Sequence, residues 1–259
     1  MRIPAEPLCC GLTWISTGQL GMAKRVLHRS VEILSDHVNA GGLVVGLEPS
    51  CTAVFRADAA ELFHDDQDVQ RLKTATVTLA ELLRDHTPGW QPPRLDRDAV
   101  IQVHCHQHAV LGSEADLALM QDMGMRAEQL ESGCCGLAGN FGFQPGHRDV
   151  SEACAERVLL PRVRESEVDT VVLADGFSCR TQLHQLDSGG REGLHVSELL
   201  AAALPQNAGR RAAGADRRPE STWAPRPKAP GTLATTGALA ATGLAAAAGV
   251  TAVVRRVLR

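Results

Sequence analysis

The sequence predicts an α/β fold built on parallel sheets, and three observations carry that reading. Apolar runs of strand length alternate with segments of helical period. The tetrapeptide CCGL occurs twice, in PLCCGLTWISTG at 7–18 and in SGCCGLAGNFGF at 132–143. After each copy come a helical pattern and an apolar run ending in cysteine, with 39 residues between Gly11 and Cys51 and 42 between Gly136 and Cys179. Self-similarity at that spacing predicts two pseudo-repeated halves, each a small parallel sheet with a CysCysGly loop.

In the first half, Leu20, Ala23, Val26, Leu27, Val31 and Leu34 recur every three or four residues and predict a helix from Gln19 to about His37. GLVVGLEPSC at 42–51 reads as a strand running to Cys51, QDVQRLKTATVTLAELLRDH at 67–86 as a helical connection, and TPGWQPPRLDRD at 87–98 as a Pro-rich link. The second half opens on DAVIQVHCHQHAV at 98–110, a buried strand running into Cys105. A short helix follows at 113–124 with Ser113 as N-cap, then a strand at 125–132. Val150, Ala153, Cys154, Val158, Leu159 and Val163 predict a helix from about His147 to Arg164, and DTVVLADGFSC at 169–179 a last strand. The order strand–Cys–helix–strand–CysCysGly–helix–strand–Cys calls for a parallel sheet with right-handed crossovers. The first half matches only from the strand before its cysteine pair, so it reads as an N-terminally truncated copy whose open sheet edge a partner chain completes.

Four regions follow: residues 1–97 (first, incomplete repeat and connection), 98–205 (second repeat), 206–231 (disordered linker) and 232–259 (an Ala-rich apolar tail, disordered or helical, with a basic end). Residues 1–205 carry 17 Lys and Arg against 28 Asp and Glu, whereas 206–259 carry 9 against 2. An acidic body with 3% aromatic residues and no tyrosine excludes a nucleic-acid-binding module. The uncharged stretch 232–254 would be about 34 Å long as a helix, long enough to associate with a membrane, although Ala, Gly and Thr dominate it. MRIPAEPLCCG has no basic region followed by an apolar run, so no secretory signal is read there and a cytoplasmic location is expected, with the tail against the cytoplasmic membrane face.

Eight cysteines in a reducing compartment point to metal or redox chemistry rather than disulfides. In a parallel sheet the loops at the carboxyl ends of the strands gather on one edge, which brings together Cys105, Cys134, Cys135 and Cys179. Adjacent thiols such as Cys134 and Cys135 can both reach one multinuclear centre more easily than a single ion. Gly133, Gly136 and Gly139 let the backbone approach it and offer N–H groups to thiolate and sulfide. Four cysteines satisfy tetrahedral zinc equally well, so a structural zinc module without redox role is the alternative. Cys9, Cys10 and Cys51 form the corresponding set of the first half, and lone Cys154 reads as a small buried hydrophobe. HCHQH at 104–108 adds His104, His106 and His108, which strand alternation would place on one face. His106 is the candidate to join the metal set, and hydrogen-bonded support is the competing role. A thiol–disulfide enzyme acting through Cys134 or Cys179 is disfavoured, since no C-x-x-C pair is present, and no phosphate-binding or hydrolase motif appears.

The segments CCGLTWISTGQL, GLEPSC, VHCHQHAVLG, SGCCGLAGNFGF and LADGFSCRTQL resemble the tandem cysteine-rich (CCG) domain of iron–sulfur oxidoreductases. That family includes the cysteine-rich subunit of heterodisulfide reductase, the iron–sulfur subunits of glycerol-3-phosphate and glycolate oxidation, and the lactate-utilisation subunits. Within it, the chain is most similar to the C-terminal part of fused FAD-binding and (Fe–S)-binding oxidases resembling cytochrome-linked D-lactate dehydrogenase. The resemblance covers residues 1–203 and implies a [4Fe–4S] cluster serving electron transfer for a 2-hydroxy acid oxidoreductase. It also implies FAD on a partner flavoprotein domain or subunit, with a quinone or similar carrier as acceptor. The sequence departs from the family's final Cys-x-x-Cys: Glu48 and Gly176 stand where its first cysteine would be. The second half thus keeps four thiols, and the first half keeps three.

Overall fold

The computed structural model describes residues 2–207 and 218–223. The Ala-rich tail and most of the expected linker lie outside the described residues.

The second half is built on a three-stranded sheet. Strands β3 (Asp98–Ile101), β4 (Arg126–Gln129) and β5 (Val171–Leu173) are all parallel, in the order β4–β3–β5. Alternation along β3 and β5 separates two cores. Ala99, Ile101, Val171 and Leu173 face a cluster with Leu119, Met120 and Leu199, from helices α7 (Glu114–Asp122) and α11 (Val196–Ala203). Val100 and Val172 face Leu159, Leu160 and Leu183, from α9 (Leu159–Glu165) and α10 (Phe177–Leu186). Helices therefore cover both faces, as parallel strands buried on both sides require.

The expected helix at 147–164 is two helices, α8 (Arg148–Arg157) and α9, because Pro161 has no N–H to give the carbonyl of Arg157. The strands are shorter than expected. β3 stops at Ile101 and β5 at Leu173, so Cys105 and Cys179 do not close strands but sit in the first turns of the helical segments that follow. Ser113 precedes α7 as expected, yet its hydroxyl gives no cap bond and instead donates to Gln129 at 2.8 Å, tying α7 to β4.

In the first half, α1 (Leu12–Ser16) and α2 (Leu20–Asn39) lead to β1 (Val44–Gly46). Of the expected face of α2, Ala23, Leu27, Val31 and Leu34 are buried, whereas Leu20 in its first turn is exposed. Cys51 lies in α3 (Pro49–Ala53), which continues through a π-helical turn (Val54–Asp58) into α4 (Ala59–Leu62). The connection at 67–86 is not wholly helical: between α5 (Gln67–Ala75) and α6 (Leu79–Asp85), Thr76–Thr78 form a strand, β2, parallel to β1. Two β-branched threonines flanking Val77 favour extended backbone, and Thr78 then starts α6 with a capping box to Glu81. β2 thus gives β1 a parallel neighbour from within the chain.

One stretch of the expected linker is docked. Pro219–Trp223 form a helical turn, α12, whose Trp223 belongs to the core that includes Leu199. There Glu220 forms a buried ion pair with Arg191 at 2.6 Å, and Arg191 also donates to the carbonyl of Thr170 at 2.6 Å. Among the described residues no helix is long and apolar enough to cross a membrane.

Candidate functional site

The loops after β3, β4 and β5 meet at one edge of the sheet. β3 connects to β4 on one side and β5 continues to Leu194, bridged to Leu173, on the other, so the crevice between β3 and β5 is where the winding reverses. Buried Gln102, just past β3, fastens two of these loops: its amide donates to the carbonyls of Val103 and Gly133, and its oxygen accepts from Ser132. A polar residue inside the apolar run AVIQV was the sequence signal for this clamp.

The CysCysGly loop is held by close packing. Gly136 has φ +95°, and a Cβ there would lie 2.0 Å from the carbonyl oxygen of Ser151. Its N–H points to the sulfur of Cys134 at 3.3 Å, and the N–H of Gly139 reaches the hydroxyl of Ser178 at 3.1 Å. The four thiols expected together are brought together. The Cys134 thiol interacts with those of Cys105 and Cys135, and Cys135 with that of Cys179. The Cys105 contact above all, then that of Cys135, pulls the Cys134 thiol far below its usual range, while Cys105 and Cys135, holding their protons against it, are pushed up. Four sulfurs from three converging loops make a donor set that fits a thiolate-ligated metal group.

The histidines divide. His104 is buried and stacks on His106 with ring centroids 5.3 Å apart. Burial lowers the pKa of His104, and its Nδ1 accepts from the N–H of His106 at 3.2 Å. Ligand atoms of His104, Cys105 and His106 all lie within 4.8 Å of one another, and Nδ1 of His106 is buried without a hydrogen-bond partner. His108 is exposed and apart from them, because the segment turns helical at Cys105 and strand alternation no longer holds.

In the first half Cys10 and Cys51 have their sulfurs 3.1 Å apart. The hydrogen bond between them lowers the Cys10 thiol to about 7 and raises that of Cys51. Cys9 is exposed, its backbone held by Ser30. Cys154 is half-buried on α8, outside these thiol contacts.

Glu48 and Gly176 both have visible work. The Glu48 carboxylate accepts from the N–H of Phe177 at 2.8 Å and from the Ser50 hydroxyl at 2.8 Å, so it stands at the N-terminus of α10, the helix that carries Cys179. A Cβ at Gly176 would lie 2.2 Å from the ring of His104, so glycine there is the space the imidazole fills.

No family model matches the chain. It is 28% identical over 208 residues to one subunit of the anaerobic glycerol-3-phosphate dehydrogenase of Escherichia coli, covering 79% of this chain and 51% of that protein. It is 25% identical over 215 residues to lactate utilization protein A of Bacillus subtilis, covering 76% of this chain and 84% of that protein. It is 24% identical over 173 residues to D-2-hydroxyglutarate dehydrogenase of Pseudomonas putida, covering 65% of this chain and 16% of that protein. Two of these relatives are thus, by name, a dehydrogenase subunit and a dehydrogenase. The chain spans about half the length of the first and a small part of the last.

Proposed function

We propose that the protein is an iron–sulfur electron-transfer module of a flavin-linked oxidoreductase acting on a 2-hydroxy acid such as lactate or glycolate. In this reading Cys105, Cys134, Cys135 and Cys179 hold a [4Fe–4S] cluster, which supplies one-electron transfer between a flavoprotein partner and a quinone or similar carrier. The observation that carries it is the clustering of these four mutually interacting thiols, drawn from three loops of one sheet edge. The relatives support the oxidoreductase class, and FAD belongs to the partner. The chain's own residues set the site: Gln102 fixes the loops, the Gly136 N–H donates to Cys134, and Glu48 holds the start of α10.

A zinc module is the second reading, favoured by the His104–Cys105–His106 group with its mixed nitrogen and sulfur donors. Anaerobic purification of the full chain, followed by iron, sulfide and zinc analysis, separates the two. The cluster reading expects iron and sulfide in equal amounts, lost in the Cys134→Ser and Cys179→Ser variants. Zinc without sulfide, or full iron retained by both variants, overturns it.

A further inference from the structure

The two halves build one sheet design to different extents. Val45 of β1 and Leu173 of β5 each lie six positions before a cysteine, Cys51 and Cys179. On one side their neighbours match. Val45 pairs in parallel with Val77 and Leu173 with Leu194, and the residue after each partner, Thr78 or His195, opens a helix with a capping box to Glu81 or Glu198. The helices leading to those partners share a core with α2 in the first half and with α8 and α9 in the second. Right-handed crossovers on corresponding faces put both partners on the same side. On the other side the halves differ. Leu173 has Ile101 of β3 opposite it, whereas β1 has no strand there among the described residues.

Burial follows this difference. All three residues of β5 are buried, while all three of β1 are only half-buried. β4, on the far side of β3, runs five to eight positions ahead of Cys134. Residues 2–4, five to seven positions ahead of Cys9, form no strand, and Ile3 is 80% exposed. The hydrogen bonds give the orientation of the backbone. The carbonyl of Leu173 accepts from the N–H of Gln102 at 2.9 Å, on the β3 side, while the N–H of Ala174 and the carbonyl of Val172 turn to Leu194. By that register Val45 turns its N–H and carbonyl to the open side, and the Gly46 N–H turns to β2.

We infer that the open edge of β1 is a docking site for a parallel strand of a partner polypeptide, seated between β1 and residues 2–4. The second half shows what fits. In the corresponding place β3 offers Ala99, Val100 and Ile101, all buried, as a strand with helices on both faces requires. The five strands among the described residues are already paired with one another, so none of them is free to fill the place. Main-chain bonds to Val45 would hold the partner strand, and its apolar side chains would select it. Running parallel to β1, its carboxyl end reaches the sheet edge of Cys10 and Cys51. The slot does not depend on the electron-transfer reading.

Amide hydrogen exchange of the full chain, followed by NMR together with sedimentation, tests the slot. The Val45 N–H should exchange without protection in the monomer, while those of Gly46 and Leu173 are slowed. Protection of Val45 in the monomer means that the chain closes its own edge, and protection that appears only with dimerisation assigns the edge to a second copy; either overturns the proposal. The probe is a synthetic peptide of residues 97–103, RDAVIQV, the strand that fills the corresponding place. At about ten times its dissociation constant it should slow Val45 exchange roughly tenfold, and a scrambled peptide should not. Val45→Pro removes the N–H on the open side and leaves the β2 side intact, so the peptide should raise the thermal midpoint of the wild type and not of this variant. A peptide that leaves Val45 exchange unchanged, or that stabilises Val45→Pro as much as the wild type, overturns the proposal. Iron and sulfide content has no bearing on either result.

Discussion

Gly136 and Gly139 show how two glycines of one loop differ in what they hold. Both have positive φ, +95° and +68°, so alanine at either is strained by about 1–2 kcal/mol. Only at Gly136 does a Cβ meet backbone, the Ser151 carbonyl on α8, while at Gly139 nothing lies within 4 Å. Gly136→Ala should therefore lower stability by more than about 2 kcal/mol in urea unfolding and displace Cys134, and Gly139→Ala by about 1 kcal/mol. Equal losses would show that the close approach to α8 does not hold the loop. The cysteines and the CysCysGly glycine were legible in the sequence, because few other roles explain two adjacent thiols before glycine. Gly176 was legible only as a missing cysteine. That it makes room for His104 depends on a partner 72 positions away, which no local pattern encodes.

Long periodic elements were legible and short ones were not. Twenty residues of α2 present one apolar face, enough repetition to predict the burial of Leu27, Val31 and Leu34. β2 is three residues between two helices, too short to show alternation, and Thr78 serves as both strand end and helix cap. Glu48 illustrates the same limit at a helix start: its cap of α10 spans 129 positions. Removing it leaves the Phe177 N–H and the positive end of the helix without an acceptor. Glu48→Ala is expected to cost about 1–2 kcal/mol, and Glu48→Gln less, because the amide oxygen still accepts while the charge is lost. Thermal or urea unfolding of the two variants measures this, and equal losses in both would assign the effect to charge alone.

At the scale of the molecule, the doubly covered sheet and its switch-point crevice follow from the alternation of strands and helices. The surroundings of Asp116, where the halves join, do not. No local pattern marks that residue, because Leu47, Pro49 and Thr78 of the first half close over the small cavity it lines. Its cost should be visible in the pH dependence of folding. Asp116 titrates near 7 in the folded chain and near 3.8 when exposed, so its contribution is fully present below about pH 4 and is lost as pH rises through 7. Between those limits the folded state binds the extra proton, and stability falls with rising pH by up to about 4 kcal/mol from this group. Asp116→Asn keeps an acceptor for Gln107 and has no proton to lose. The variant should therefore gain on the wild type as pH rises, the difference in unfolding free energy at pH 8 exceeding that at pH 5. Urea unfolding of the full chain at the two pH values reads it directly. A difference independent of pH would mean that Asp116 is already ionised in the folded chain and that the junction admits water.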